Sequence, residues 1–114
     1  MESYSPNQVI QELRRIQAEA SKGAQALYDA EVALAHADSE ADLAYQKSFI
    51  RAEGSVELRK AIASVESAEG RLQVDLRRAE VARIKTKLKQ LELAQMSTQT
   101  IARQLEAEMR MSVG

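Results

Sequence analysis

One turn near the middle of the chain limits what this sequence can fold into. Glu53-Gly54-Ser55 interrupts two long stretches of helix-forming residues, with 53 residues before Gly54 and 60 after it. Gly54 can adopt the left-handed conformation that closes a helix. Ser55 can cap the next helix, and Glu57 in its first turn suits the helix dipole. The rest of the chain is rich in Ala, Glu, Leu, Arg, Lys and Gln, the strong helix formers. With one proline and 4% aromatic residues, a broad compact core is excluded. The fold class expected is all-α, a long antiparallel helical hairpin of coiled-coil type with a short N-terminal helical segment.

Taken in order, Met1–Tyr4 reads as a frayed tail. Ser5-Pro6-Asn7-Gln8 reads as a helix start, with Ser5 and Gln8 as a capping box and Pro6 at the first helical position. A first helix spans about 6–22, with Val9, Leu13, Ile16 and Ala20 at helical spacing. Gly23 is expected to end or kink it, because glycine costs ~1 kcal/mol relative to alanine inside a helix. A second helix spans about 24–52. Leu27, Ala30, Leu34, Ala37, Ala41, Ala44 and Ser48 step by 3 and 4 as a heptad seam. Its alanines let a partner backbone approach, but each buries little area at ~25 cal/mol per Å².

After the turn at 53–55, a long helix is expected over 56–111. Leu58, Ile62, Val65, Leu72, Leu76, Ala79, Ile84, Leu88, Leu91, Ala94, Ile101 and Leu105 form its apolar stripe. Glu69 falls within that stripe and Gly70 follows, which predicts a kink or break there. Unbroken, the helix would be about 80 Å long. Val74, Val81 and Leu88 form a second apolar strip beside the first. A two-helix hairpin buries one stripe per helix and is marginal alone. The second strip is therefore assigned to another subunit of a homo-oligomer, or else to the first helix folded back over it.

Charge is unevenly distributed. Residues 1–70 hold 7 basic and 12 acidic residues (−5), and residues 71–114 hold 9 and 5 (+4). Within 71–89, seven Lys/Arg oppose Asp75 and Glu80. At about 100° per residue, Arg71, Arg78, Lys85 and Lys89 share one arc, on the side away from the stripe given above. Such a line of cations could track a phosphate backbone. A hairpin turning at Gly54 would also set residue i opposite 108 − i, and so 71–89 opposite 37–19, within the segment 19–42 that holds Glu19, Asp29, Glu31, Asp38, Glu40 and Asp42 against Lys22 (−5). Local pairing of Asp75 with Arg78 and of Glu80 with Arg83 is possible as well. Both readings stand: an internally paired or solvated face, and a nucleic-acid surface.

Tyr45 and Phe49, one turn apart beside Lys47 and Arg51, could stack on bases or plug the closed end of the hairpin. Tyr28 suits either role. His36 with Glu40 is too few ligands for a metal site, and no cofactor or metal is expected. No carboxylate pair, nucleophile or phosphate loop supports an enzyme. Without cysteine there is neither disulfide nor thiolate site, which fits a reducing compartment. No signal peptide and no apolar run near ~18 residues is present, so a soluble, cytoplasmic protein without membrane association is expected. The end Gln95–Met111, with Ile101, Leu105 and Met109, could bind a partner or rest on the first helix.

The run ALYDAEVALAHADSEADLAYQKSFIRAEGSVELRKAIASVESAEGRL, with KTKLKQLELAQMSTQTIARQLEAEMR, resembles small phage proteins of the UvsY-like recombination mediator family. The matching positions are Tyr45, Gly54-Ser55, Arg59 with Ala63, Lys85–Lys89 and Ser97–Arg103, over roughly residues 26–110. The resemblance implies an oligomeric helical protein that binds single-stranded DNA and helps a recombinase displace single-strand-binding protein. The DNA-contacting residues it implies are Lys85, Lys87 and Lys89, with Arg59 and Lys60. The slightly negative overall charge departs from that pattern. The competing reading is a structural or adaptor protein that binds another protein through a helical surface.

Overall fold

A computed structural model describes residues 4–113. Met1–Ser3, on which most of the frayed-tail expectation falls, lie outside them. Three helices account for nearly all the described residues: α1 (Pro6–Arg51), α2 (Val56–Glu66) and α3 (Ala68–Val113). The protein is an all-α antiparallel helical hairpin, as its sequence pattern predicts. Two compact units make it up. One joins the start of α1, up to Gln25, to α3 from Lys85 onward. The other is Ala26–Ile84 and contains the turn.

Local chemistry sets the ends of the helices. The Ser5 amide donates to Gln8 Oε1 at 2.8 Å and the Gln8 amide donates to Ser5 Oγ at 3.3 Å, a reciprocal cap on α1. Gly54 has φ 113°, a conformation that side chains resist. Ser55 is the N-cap of α2, its hydroxyl accepting from the Leu58 amide at 3.2 Å. The chain between α2 and α3 is interrupted at Ser67 rather than at Gly70. The Ser67 hydroxyl, almost wholly buried, donates back to the Ala63 carbonyl at 2.7 Å. That carbonyl also accepts from the Ser67 amide at 3.0 Å. Such back-bonding bends helices. Gly70 is the third residue of α3.

Gly23 does not end a helix. α1 runs through it without a break, so the expected pair of helices at 6–22 and 24–52 is one element. The reason lies across the seam. A Cβ placed on Gly23 would lie 2.5 Å from Leu88 Cδ2, so the missing side chain makes room for leucine. Farther along, a Cβ on Gly70 would lie 3.4 Å from Ala41 Cα, which brings the two backbones close together.

These contacts fix the register at 111 − i in each unit (23 + 88 and 41 + 70), three residues from the simple expectation of 108 − i. Near the turn the sum is still 108, where Arg59 meets Phe49 (59 + 49).

The buried face of α1 follows Val9, Leu13, Ile16, Ala20, Gly23, Leu27, Ala30, Leu34, Ala37 and Ala41, then Tyr45 and Ser48. Ala44, expected in the seam, is exposed, and Tyr45 takes its place. An α-helix drifts relative to a strict seven-residue repeat, and two successive steps of four restore the face.

Up to Ala79 the expected order of the stripes is reversed, whereas from Ile84 onward the expected stripe is the buried one. Val74, Val81, Ile84 and Leu91 are buried and Leu88 is half-buried, whereas Leu58, Val65, Leu72, Leu76 and Ala79 are exposed. The strip assigned to another subunit is therefore the intramolecular seam. Small and β-branched residues fit against an alanine-lined helix at close range, and the leucines are left outside.

In urea unfolding, Gly23→Ala should give little net gain, because the ~1 kcal/mol of helix propensity opposes overlap with Leu88. In a Leu88→Ala background the same substitution should stabilise by about 0.5–1 kcal/mol. Equal effects in both backgrounds would contradict the contact.

Candidate functional site

The basic stretch of α3 is the first candidate, and the structure disperses it. Arg71 donates to the Ser64 carbonyl at 2.9 Å and so caps the end of α2. Arg78 lies 3.4 Å from Asp75. Both line a groove of about 320 Å³ with Asp38, Ala41, Asp42, Tyr45, Ser67, Val74 and Asp75. Arg71 and Arg78 therefore flank the seam beside acids of α1, and the expectation that they point away from it is corrected. Leu72 and Leu76, which the expected arc lies opposite, face outward.

Arg83 donates to Glu80 at 3.1 and 2.8 Å. Those hydrogen bonds hold the Glu80 carboxyl below its ordinary range. Lys89 lies 3.7 Å from Glu92. Lys85, Lys87 and Lys60 are exposed.

Arg59 has a structural use. Its Nε and Nη2 donate to the Phe49 carbonyl at 3.2 and 3.0 Å, and its guanidinium carbon sits 4.3 Å from the Phe49 ring centroid. That carbonyl belongs to the last turn of α1, where backbone acceptors lack helical partners. One side chain thus caps α1 and covers its aromatic residue. Phe49 and Tyr45 are half-buried, the first under Arg59 and the second in the groove, while Tyr28 is 64% exposed. Ser48 is buried and donates to Glu66, a further tie between α1 and α2.

At the other end, Ile101 and Leu105 are half-buried and Met109 is exposed. Pro6, Val9, Ile10, Ala102, Leu105, Glu106 and Met109 line a shallow depression of about 230 Å³, so this end of α3 rests on the start of α1. Thr98 is buried in the seam, its hydroxyl donating to the Ala94 carbonyl at 2.9 Å. His36 is exposed, and no group of three metal-ligating side chains occurs among the described residues. No helix among them is long and apolar enough to cross a membrane.

What remains is surface that the sequence reading placed elsewhere. Leu72 (49% exposed), Leu76 (54%), Val65 (77%) and Leu58 (52%) form an outward apolar stripe along α2 and early α3. On α1, Tyr28, Val32, Leu43 and Ile50 are also exposed. At about 100° per residue they share the face opposite the seam. Their helical spacing is legible in the sequence, but the Leu/Ala pattern of the seam overshadows it.

Arg59→Ala should lower stability by about 1–2 kcal/mol, since it removes charge-assisted bonds and a cation–π contact. Arg59→Lys should not restore it, because an ammonium lacks the fork. Lys60→Ala should be neutral in the same urea titration. No protein-family model, curated protein or solved structure matches this chain.

Proposed function

We propose that this chain is a non-enzymatic helical scaffold protein that self-associates through the outward stripe of α2 and α3. The observation that carries this reading is the exposure of Leu58, Val65, Leu72 and Leu76 beside a seam that α1 already closes. Four large apolar side chains on one helical face cost free energy in water, and that cost is relieved by a partner.

The second reading is single-stranded DNA binding, with the recombinase and single-strand-binding protein implied by the family resemblance as partners. It is favoured by the exposure of Lys85 and Lys87. It is weakened by the engagement of Arg59, Arg71 and Arg78 within the fold.

Sedimentation equilibrium of the full chain separates the two. The wild type should show a mass above the monomer that falls with dilution. Leu72→Lys/Leu76→Lys should be monomeric while its far-ultraviolet circular dichroism stays helical. A wild-type monomer at every concentration would sink the scaffold reading. Salt-sensitive binding of a labelled single-stranded oligonucleotide, weakened by Lys85→Glu/Lys87→Glu, would establish the second reading in its place.

A further inference from the structure

We propose that the groove between α1 and α3 beside Ala41 and Val74 is a binding site for a small zwitterion of α-amino-acid size, its ammonium held by α1 and its carboxylate by α3. The inference goes beyond self-association, whose stripe shares no residue with the groove.

The groove lies wholly within the unit Ala26–Ile84 and holds about 320 Å³. That is the lower end of the range for small-molecule sites, ~300–1,000 Å³. Ala41 (6% exposed), Ser67 (1%) and Val74 (6%) line it and are shut off from solvent, so they make a floor of small groups. Half-buried Tyr45 stands at the side nearer the turn.

The walls above this floor carry opposite charge. α1 contributes Asp38 and Asp42, which lie one turn apart on a single face. α3 contributes Arg71 and Arg78, and Asp75 already sits beside Arg78 at 3.4 Å. The register of 111 − i sets Arg71 level with residue 40, midway between the two aspartates (111 − 71 = 40).

The walls nevertheless do not close on each other. Neither Asp38 nor Asp42 has an ion-pair partner among the described residues. Arg71 Nη2 donates instead to the Ser64 carbonyl at 2.9 Å. That bond keeps the guanidinium on its own side of the groove and uses one of its five N–H donors.

Two carboxylates and a guanidinium are thus held apart across a buried floor. A molecule with one charge of each sign answers both walls. Its ammonium reaches Asp38 and Asp42, its carboxylate takes the planar fork of Arg71, and its apolar atoms rest on Ala41 and Val74. A ligand of one sign leaves the opposite wall unanswered, which is a basis for discrimination.

The test titrates the full chain, labelled with nitrogen-15, with L-leucine, its methyl ester (no carboxylate) and N-acetyl-L-leucine (no ammonium). In two-dimensional amide spectra leucine should give saturable shifts at Ala41, Tyr45, Ser67 and Val74. The ester and the N-acetyl compound should each bind about tenfold more weakly or worse, the loss of one charge-assisted contact. Asp38→Asn/Asp42→Asn and Arg71→Gln should weaken leucine binding by a similar factor, with helicity unchanged by circular dichroism. Should Arg71→Gln lose helicity, the aspartate variant alone decides, because those two side chains make no ion pair in the fold. Three results would overturn the proposal: no shift with leucine up to its solubility limit, equal affinity for leucine and either derivative, or leucine binding unchanged in Asp38→Asn/Asp42→Asn. The scaffold reading is judged by mass alone and is untouched by any of these outcomes.

Discussion

Close approach of two helix backbones is the constraint on which the rest of this structure depends. Alanine and glycine on one face of α1 give up hydrophobic area per residue, and short separation is what they offer in return. Leu88 seats where Gly23 has no side chain, and Gly70 brings α3 against Ala41. At that separation dispersion contacts are dense, although each side chain is small. The seam accepts Gly70, Val74 and Val81 near the turn because they leave little bulk between the axes. Bulky leucines at 72 and 76 do not suit that spacing and turn outward, so the choice of seam determines the character of the surface.

The same choice explains how much was readable beforehand. Helical composition, the turn at Gly54, the cap at Ser55 and the capping box at Ser5 rest on local chemistry, and local chemistry is written in consecutive residues. Which of two apolar stripes on α3 faces α1 is a tertiary matter. Leu72 and Leu76 are larger than Val74 and Val81, yet it is the smaller pair that is buried. Gly23 shows the same limit. Its helix penalty is visible in the sequence, but the leucine that occupies the vacated space is 65 residues away (88 − 23).

The candidate site follows from these two points. Among the cations of 71–89, Lys85, Lys87 and Lys89 are exposed, and only the direction of Arg71 and Arg78 depends on which stripe faces α1. Arg71 and Arg78 border the seam, and Arg59 closes the end of α1. Cap formation by arginine could be anticipated only by knowing which carbonyls the turn would bring near. The acidity of α1, by contrast, was plain from composition.

The two helices also share a measure of length. Gly23 and Ala41 are 18 residues apart, and so are Gly70 and Leu88 (41 − 23 and 88 − 70). Eighteen residues are five turns at 3.6 per turn, so each pair of contacts returns to the same side of its helix. Lineages of such a chain would therefore tolerate gain or loss of residues unequally. An extra residue between Ala52 and Ser55 leaves both spacings intact. One inserted within either helix between its two contact points rotates everything beyond it by about 100° and separates a glycine from its partner. Change in length is then confined to the connection and the chain ends, and the two arms can lengthen only in step.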